Sequence, residues 1–77
     1  MTIKQEDLNN RFTYHKPFGE QTVRYERIRS SGLNLAEQLV IMCPESRELS
    51  LALTNLEQAI FWANAAIARN ESEPKHE

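Results

Sequence analysis

The four residues Cys43-Pro44-Glu45-Ser46 separate two long helical patterns and therefore decide the fold. Proline is poorly tolerated inside a helix but suits its first turn, so one helix should end here and another begin. Upstream, from about residue 20 to residue 42, a stripe recurs at spacings of three and four: Tyr25, Ile28, Gly32, Leu35, Leu39 and Met42. Downstream, to about residue 69, a second stripe has the same period: Leu49, Leu53, Leu56, Ile60, Ala63 and Ile67. Two such helices form an antiparallel helical hairpin, and we expect an all-α fold.

The N-terminal segment predicts one short helix followed by a loop. Thr2 and Gln5 have the spacing of a capping box, which predicts a helix over residues 3–9. Residues 9–19 begin with Asn-Asn, contain one proline and one glycine, and show no persistent period. We therefore expect them to form a loop.

The length of 77 residues allows one small domain, which we place at residues 1–70, with a disordered acidic tail at 71–77. Cys43 is the only cysteine, so no disulfide can form within the chain, and a reducing cytosol is expected. His15 and His76 are the only histidines and lie far apart, so we expect no metal site and no cofactor. The N-terminus lacks a signal-peptide pattern and nothing approaches a membrane span, so a soluble protein with no membrane partner is expected.

Residues 59–68, AIFWANAAIA, indicate self-association, because nine of these ten residues are apolar and cover every face of the helix. A helix that is hydrophobic all round is buried all round, and so short a chain can bury it only against other copies or another protein. A homo-oligomer is therefore expected. The one polar residue, Asn64, either fixes the register of packed helices or bonds a ligand. Arg69 complements the helix dipole, and a second role in binding phosphate is open.

Charge is segregated along the chain. Residues 11–29 carry five Lys and Arg against two Glu, whereas the whole chain has a net charge of −2. This patch favours a compact anionic partner over polymeric nucleic acid, which requires broad basic surfaces. The loop sequence RFTYHKPFG, residues 11–19, either caps the hairpin with its aromatics or stacks them on nucleotide bases beside cations. No nucleophile lies near His15 in the sequence, so we expect no catalytic residues and no enzyme.

Three blocks carry a resemblance to a known family: RFTYH at 11–15, RYERIR at 24–29, and MCPESR at 42–47 running on to SLALTNLEQAIFWANAAIARN at 50–70. Over about residues 8–70 the chain resembles the phage Acb/Tad hairpin family. The resemblance implies a sponge of the compact anti-CBASS type, a hexamer that sequesters cyclic dinucleotides such as cGAMP without degrading them. It further implies separate sites for cyclic trinucleotides, and action in the cytoplasm of the infected bacterial host. Longer anti-Thoeris relatives capture cyclic ADP-ribose signals with an additional domain, for which this sequence has no room.

The resemblance also implies site residues. By position, Tyr14 resembles the loop aromatic that stacks on a base of the cyclic dinucleotide, and Arg29 lies where the family places a basic residue that reaches its phosphates. Phe12 and His15 are implied neighbours in this pocket. The cyclic trinucleotide site is implied to use polar residues late in the second long helix: Arg69, Asn70 and Asn64.

One departure from the family concerns packing. SSGLN at residues 30–34 replaces an alanine-rich stretch, and Gly32 there either weakens the helix by about 1 kcal/mol relative to alanine or permits closer helix packing. Two other classes of function also stay open. One is a helical interaction protein that docks residues 59–68 on a host target. The other is a nucleotide-cleaving enzyme that uses His15 as its base.

Overall fold

The computed structural model describes residues 3–72 and contains, within that range, three helices and no strand. Helix α1 spans Gln5–Phe12, α2 spans Gln21–Met42, and α3 spans Arg47–Asn70. The predicted all-α hairpin is confirmed: α2 and α3 pack against each other and are joined by residues 43–46. Their 22 and 24 residues extend about 33 and 36 Å at 1.5 Å per residue.

The N-terminal boundaries differ from the prediction. The helix begins at Gln5 and continues to Phe12, so the expected helix over 3–9 and the expected loop from residue 9 are both wrong in extent. The helix is three residues longer at its C-terminal end because Thr13 closes it: the backbone N–H and the hydroxyl of Thr13 both donate to the Asn9 carbonyl. The proposed capping residue Thr2 lies outside the described residues.

A side-chain cap at Ser46 shapes the turn where α3 begins. The Ser46 hydroxyl accepts a hydrogen bond from the Leu49 N–H at 3.1 Å, which satisfies one of the free donors at the start of α3. Glu48 lies in this first turn, where its negative charge interacts favourably with the positive end of the helix dipole. Pro44 therefore belongs to the turn itself, and the helix begins three residues later.

Gly32 lies on the face of α2 that packs against α3. It is buried, and a Cβ atom at this position would lie 2.8 Å from both Cδ1 and Cγ1 of Ile60. Contacts this short do not occur between real side chains, so the absence of a side chain sets the distance between the helices. Of the two alternatives for Gly32, the structure shows closer packing.

The stripe of α2 that packs against α3 has the predicted period but differs from the prediction at two positions. Tyr25, Ile28, Gly32 and Leu39 face α3 as predicted, whereas Leu35 and Met42 are exposed and Ala36 and Cys43 are half-buried in their place. Both sets satisfy spacings of three and four. The close contact at Gly32 turns the smaller residue of each pair inward. The α3 stripe matches the prediction at every position.

At the open end of the hairpin, Gln21 and Arg24 hold the residue that follows α3. Both guanidinium NH groups of Arg24 donate to the Glu71 carboxylate, at 2.7 and 2.5 Å. The Gln21 amide donates to the same carboxylate at 3.0 Å. These hydrogen bonds, that from Arg24 above all, lower the pKa of Glu71 from its usual 4.5 to about 2. Glu71, the first residue of the predicted disordered tail, is therefore hydrogen-bonded to α2. Residues 73–77 of that tail lie outside the described residues.

The chain alone has little interior. No hydrophobic side chain among residues 3–72 is buried. The solvent-accessible surface is 6751 Å², against about 4,800 Å² for a compact monomer of 8.9 kDa. The radius of gyration is 16.5 Å, against about 11 Å for a compact chain of this length. In the described part of the chain, no helix combines the length and apolar character needed to cross a bilayer.

Candidate functional site

A groove of about 920 Å³ runs along the face where α2 and α3 meet. Its floor is apolar and is centred on the Gly32–Ile60 contact, with Leu33, Phe61 and Ala65 beside it. Polar groups border this floor at one end: Arg11, His15, Arg29, Asn64 and Arg69. Thr54 and Glu57 lie toward the turn end of α3.

The groove brings together four of the seven residues predicted from the sequence. His15 and Arg29, expected in a dinucleotide pocket, lie in the same groove as Asn64 and Arg69, which were expected at a separate site. The other three residues do not line the groove. Phe12 and Tyr14 are 78% and 84% exposed, and Asn70 donates its side-chain amide to the Ala66 carbonyl at 2.9 Å.

Arg29 presents an available guanidinium group to the groove. Its nearest carboxylate is Glu26, one turn earlier on α2, at 3.7 Å with both side chains exposed. Exposed ion pairs of this kind contribute roughly 0–1 kcal/mol. A bound phosphate can therefore replace Glu26 as the partner of Arg29 at little cost in free energy.

His15 is fixed by α1. Its Nε2–H donates to the Asn10 carbonyl at 2.6 Å, and the ring is half-buried. Because a carbonyl only accepts, Nε2 is the donor in this hydrogen bond. The ring thus helps to hold the loop against the groove.

Arg69 is positioned by aromatic stacking. Its guanidinium carbon lies 5.7 Å from the centre of the Trp62 ring, within the range of a cation–π contact. Trp62 in turn meets Phe61 edge-to-face, with ring centres 5.1 Å apart. An arginine held in this way loses less rotamer freedom when it binds an anion than a freely solvated one does.

Asn64 is the groove residue whose side-chain oxygen lacks a hydrogen-bond partner among the described residues. Its Oδ1 atom is buried and has no hydrogen-bond partner among the described residues. Two other asparagines on α3 behave differently: Asn55 and Asn70 each donate to the backbone carbonyl four residues earlier. Buried polar atoms without a partner are uncommon in folded proteins.

Four groove residues with polar or charged side chains were not assigned to a site from the sequence: Arg11, Thr13, Thr54 and Glu57. Arg11 was counted in the basic patch but not assigned to a site. On α3 the sequence does contain a periodic pattern that marks the groove face. Its members recur at spacings of four, three and four: Glu57, Phe61, Asn64 and Ala68. That stripe lies beside the buried one and marks the groove face of the helix.

Comparison with protein families identifies one match. Residues 4–68 match the family model described as Acb2/Tad1, hairpin domain. The chain belongs to the Acb2/Tad1 hairpin family. Comparison with curated proteins and with solved structures gave no significant match.

Membership in the Acb2/Tad1 hairpin family implies, in general terms, a phage anti-defence sponge that binds cyclic nucleotide signals. The groove is consistent with binding, since it offers cations, hydrogen-bonding groups and an apolar floor. Within residues 3–72, His, Cys, Asp and Glu side chains form no cluster of three or more that could hold a metal ion.

Proposed function

We propose that this Acb2/Tad1 hairpin protein sequesters cyclic oligonucleotide messengers without cleaving them and so prevents activation of CBASS effectors in the infected bacterium. Its ligands are cyclic dinucleotides such as cGAMP, with cyclic trinucleotides at a further site. The observation that carries this proposal is the groove, where Arg11 and Arg29 border an apolar floor.

The cationic end of the groove and its apolar floor match the two chemical parts of a nucleotide, phosphate and base. Guanidinium groups bind phosphate through paired, charge-assisted hydrogen bonds. The floor around Ile60 and the Phe61 ring gives a base an apolar and aromatic surface to lie on. The carboxylate of Glu57 repels phosphate from the opposite end and so favours one orientation of the ligand.

Tyr14 and Phe12 complete the dinucleotide pocket in this proposal, although both are highly exposed. Tyr14 lies between Thr13 and His15, both of which line the groove. A change in its side-chain rotamer, or the approach of a second copy, brings the phenol ring over a bound base. Base–aromatic stacking contributes about 1–3 kcal/mol per base.

Self-association is the second part of the proposal. The exposed apolar surface of α2 and α3 includes Leu33, Ile41 and Trp62, and no hydrophobic residue of 3–72 is buried. Neighbouring copies supply the missing interior in a homo-oligomer, which we propose to be a hexamer like those of the compact anti-CBASS type. Arg69, with Asn70 and Asn64, then forms the cyclic trinucleotide site where copies meet.

The direct test is calorimetric titration with 3′,3′-cyclic GMP–AMP. Arg29→Ala should weaken binding about 10- to 100-fold, because a hydrogen bond to a charged group contributes roughly 1.5–3 kcal/mol. Arg27→Ala is the matched control: it removes the same charge from the same helix, at an exposed position that does not line the groove. Equal loss in both variants would point to general charge attraction and contradict the site.

Recovery of the ligand separates a sponge from an enzyme. Cyclic GMP–AMP released by heat denaturation should be intact by chromatography, in the wild type and in His15→Ala alike. Loss of ligand over time that His15→Ala abolishes would support the cleaving enzyme. If cyclic dinucleotides and trinucleotides both fail to bind while cyclic ADP-ribose isomers bind, the protein is an anti-Thoeris type of sponge. If none binds, a helical interaction protein becomes the better description.

A further inference from the structure

We propose that Glu71 acts through Gln21 to position the loop that forms one side of the groove. The Glu71 carboxylate orients the Gln21 amide, and the amide oxygen then holds the Phe18 N–H in place. This inference rests on the proposed function and assigns a positioning residue to the same groove, outside the residues that line it.

One side of the groove belongs to the hairpin and the other does not. Arg29 lies on α2 and Asn64 on α3, and these two helices pack against each other. Arg11, Thr13 and His15 lie at the end of α1 and in the loop that follows it. Helix α1 makes no comparable contact with either long helix. The position of this side of the groove therefore depends on how the loop is attached to α2.

The loop is attached to α2 at residues 18–21. The Phe18 N–H donates to Oε1 of Gln21 at 3.1 Å, and the backbone N–H of Gln21 donates to the Phe18 carbonyl at 3.1 Å. Gly19 lies between them with a φ of +56°, a left-handed conformation that glycine adopts at no steric cost. These two hydrogen bonds close a tight turn, which sets the direction in which the loop leaves α2.

Glu71 decides which way the Gln21 amide lies. The oxygen and nitrogen ends of a glutamine amide have nearly the same shape, so hydrogen-bond partners determine their orientation. A carboxylate requires a donor, so Nε2 of Gln21 faces Glu71 at 3.0 Å and Oε1 is left for the Phe18 N–H. Glu71 is fixed in turn by Arg24, whose two guanidinium NH groups both donate to its carboxylate.

The burial of Gln21 makes this orientation sensitive to residue 71. Gln21 is 2% exposed, and a buried donor without an acceptor costs free energy. With an apolar residue at position 71, the amide can satisfy Nε2 only by moving toward water, and Phe18 then loses its acceptor. The loop would leave its place beside Arg29 in a fraction of the chains. The apparent affinity for a ligand falls with the fraction that keeps the loop in place.

The coupling between Glu71 and the loop can be tested without a ligand, by hydrogen exchange at the Phe18 amide. Glu71→Leu has a similar shape and no polar atoms, and it should raise the exchange rate at Phe18 about tenfold. Glu71→Gln keeps an acceptor for Gln21 and should leave this rate close to that of the wild type. The Leu49 N–H is the internal reference, because it donates to the Ser46 hydroxyl at the other end of the hairpin. Its exchange rate should be the same in all variants.

The effect on the groove is measured by calorimetric titration with 3′,3′-cyclic GMP–AMP. Glu71→Leu should bind about tenfold more weakly than the wild type, which corresponds to about one chain in ten with the loop in place. Glu71→Gln should bind like the wild type. Glu45→Leu is the matched control, because it makes the same substitution at an exposed position in the turn between α2 and α3. It should leave the affinity unchanged. In a Gln21→Leu background, Glu71→Leu should add little further loss, because both substitutions act through one side chain.

Three results would overturn the inference. Unchanged exchange at Phe18 in Glu71→Leu would show that residue 71 does not act on the loop. Equal acceleration at Phe18 and Leu49 would show a general loss of stability. Faster exchange at Phe18 with unchanged affinity would show that binding does not depend on the position of the loop. Failure of the proposed function is distinct, because the wild type would then bind no cyclic nucleotide while the exchange rates would still report the coupling.

Discussion

Gln21, which is only 2% exposed, connects three segments through one side chain. Its Oε1 accepts from the Phe18 N–H at 3.1 Å, which fixes the loop before α2, and its Nε2 donates to Glu71 after α3. Nothing in the sequence distinguishes this glutamine from a surface residue. Its partner is 50 positions away, and local patterns carry no information about contacts at that separation.

Glu71→Gln should lower stability in a pH-dependent way. The pKa of Glu71 in the folded protein is about 2, below its usual 4.5, so the ionised form favours folding. This contribution is fully present above about pH 4.5 and is lost as pH falls toward 2. The difference in melting temperature between wild type and Glu71→Gln should therefore be constant near neutral pH and shrink on acidification.

A control for this experiment is Glu37→Gln, at an exposed position on α2 that has no ion pair within residues 3–72. Its melting temperature should follow that of the wild type across the titration. A Glu71→Gln difference that stays the same down to pH 2 would show that the carboxylate charge does not act through Arg24.

At the scale of elements, the hairpin could be predicted because helical periodicity and one proline are local signals. Both ends of α2 and α3 fall within a few residues of the expected boundaries. The phase of the α2 stripe could not be predicted, because Leu35 and Ala36 both satisfy the spacing. The contact at Gly32, which decides between them, is a tertiary one. For the same reason the sequence suggested the groove residues but not that they share one groove.

Gly32→Ala should destabilise the hairpin by about 1–2 kcal/mol, although alanine is the better helix former by up to 1 kcal/mol. The new Cβ would meet Cδ1 and Cγ1 of Ile60 at 2.8 Å, and overpacking of this kind costs about 1–3 kcal/mol. Urea unfolding at one fixed protein concentration measures the change. Ser31→Ala, at the exposed neighbouring position, should be close to neutral.

A double-mutant cycle attributes the effect to this contact. In an Ile60→Ala background the two clashing carbons are absent, so Gly32→Ala should cost less or become favourable. If the cost of Gly32→Ala is the same in both backgrounds, the strain arises within α2 and not between the helices.

For the whole molecule, Trp62 is the only tryptophan and reports directly on self-association. It is 57% exposed in the single chain, so its burial between copies should shift its emission to shorter wavelength. Sedimentation equilibrium should give a mass of at least twice the 8.9 kDa of one chain. Trp62→Glu should reduce that mass, because it places a charge in the apolar stretch at 59–68.

Gln58→Glu adds the same charge to an exposed position on α3 just before that stretch and should leave the mass unchanged. A wild-type mass of 8.9 kDa at micromolar concentration would contradict the homo-oligomer. In that case, we would expect a different protein to cover the apolar surface of α3.

If copies assemble as we propose, the lack of a buried hydrophobic side chain in residues 3–72 affects how the amount of protein made during infection relates to its activity. A chain that gains its interior only from neighbouring copies folds and assembles in one step, and its stability then rises with its own concentration. Early in expression the first copies would be poorly folded and would capture little messenger. Capacity would then increase more steeply than copy number, so the protein would neutralise a signal above a threshold of synthesis instead of in proportion to it.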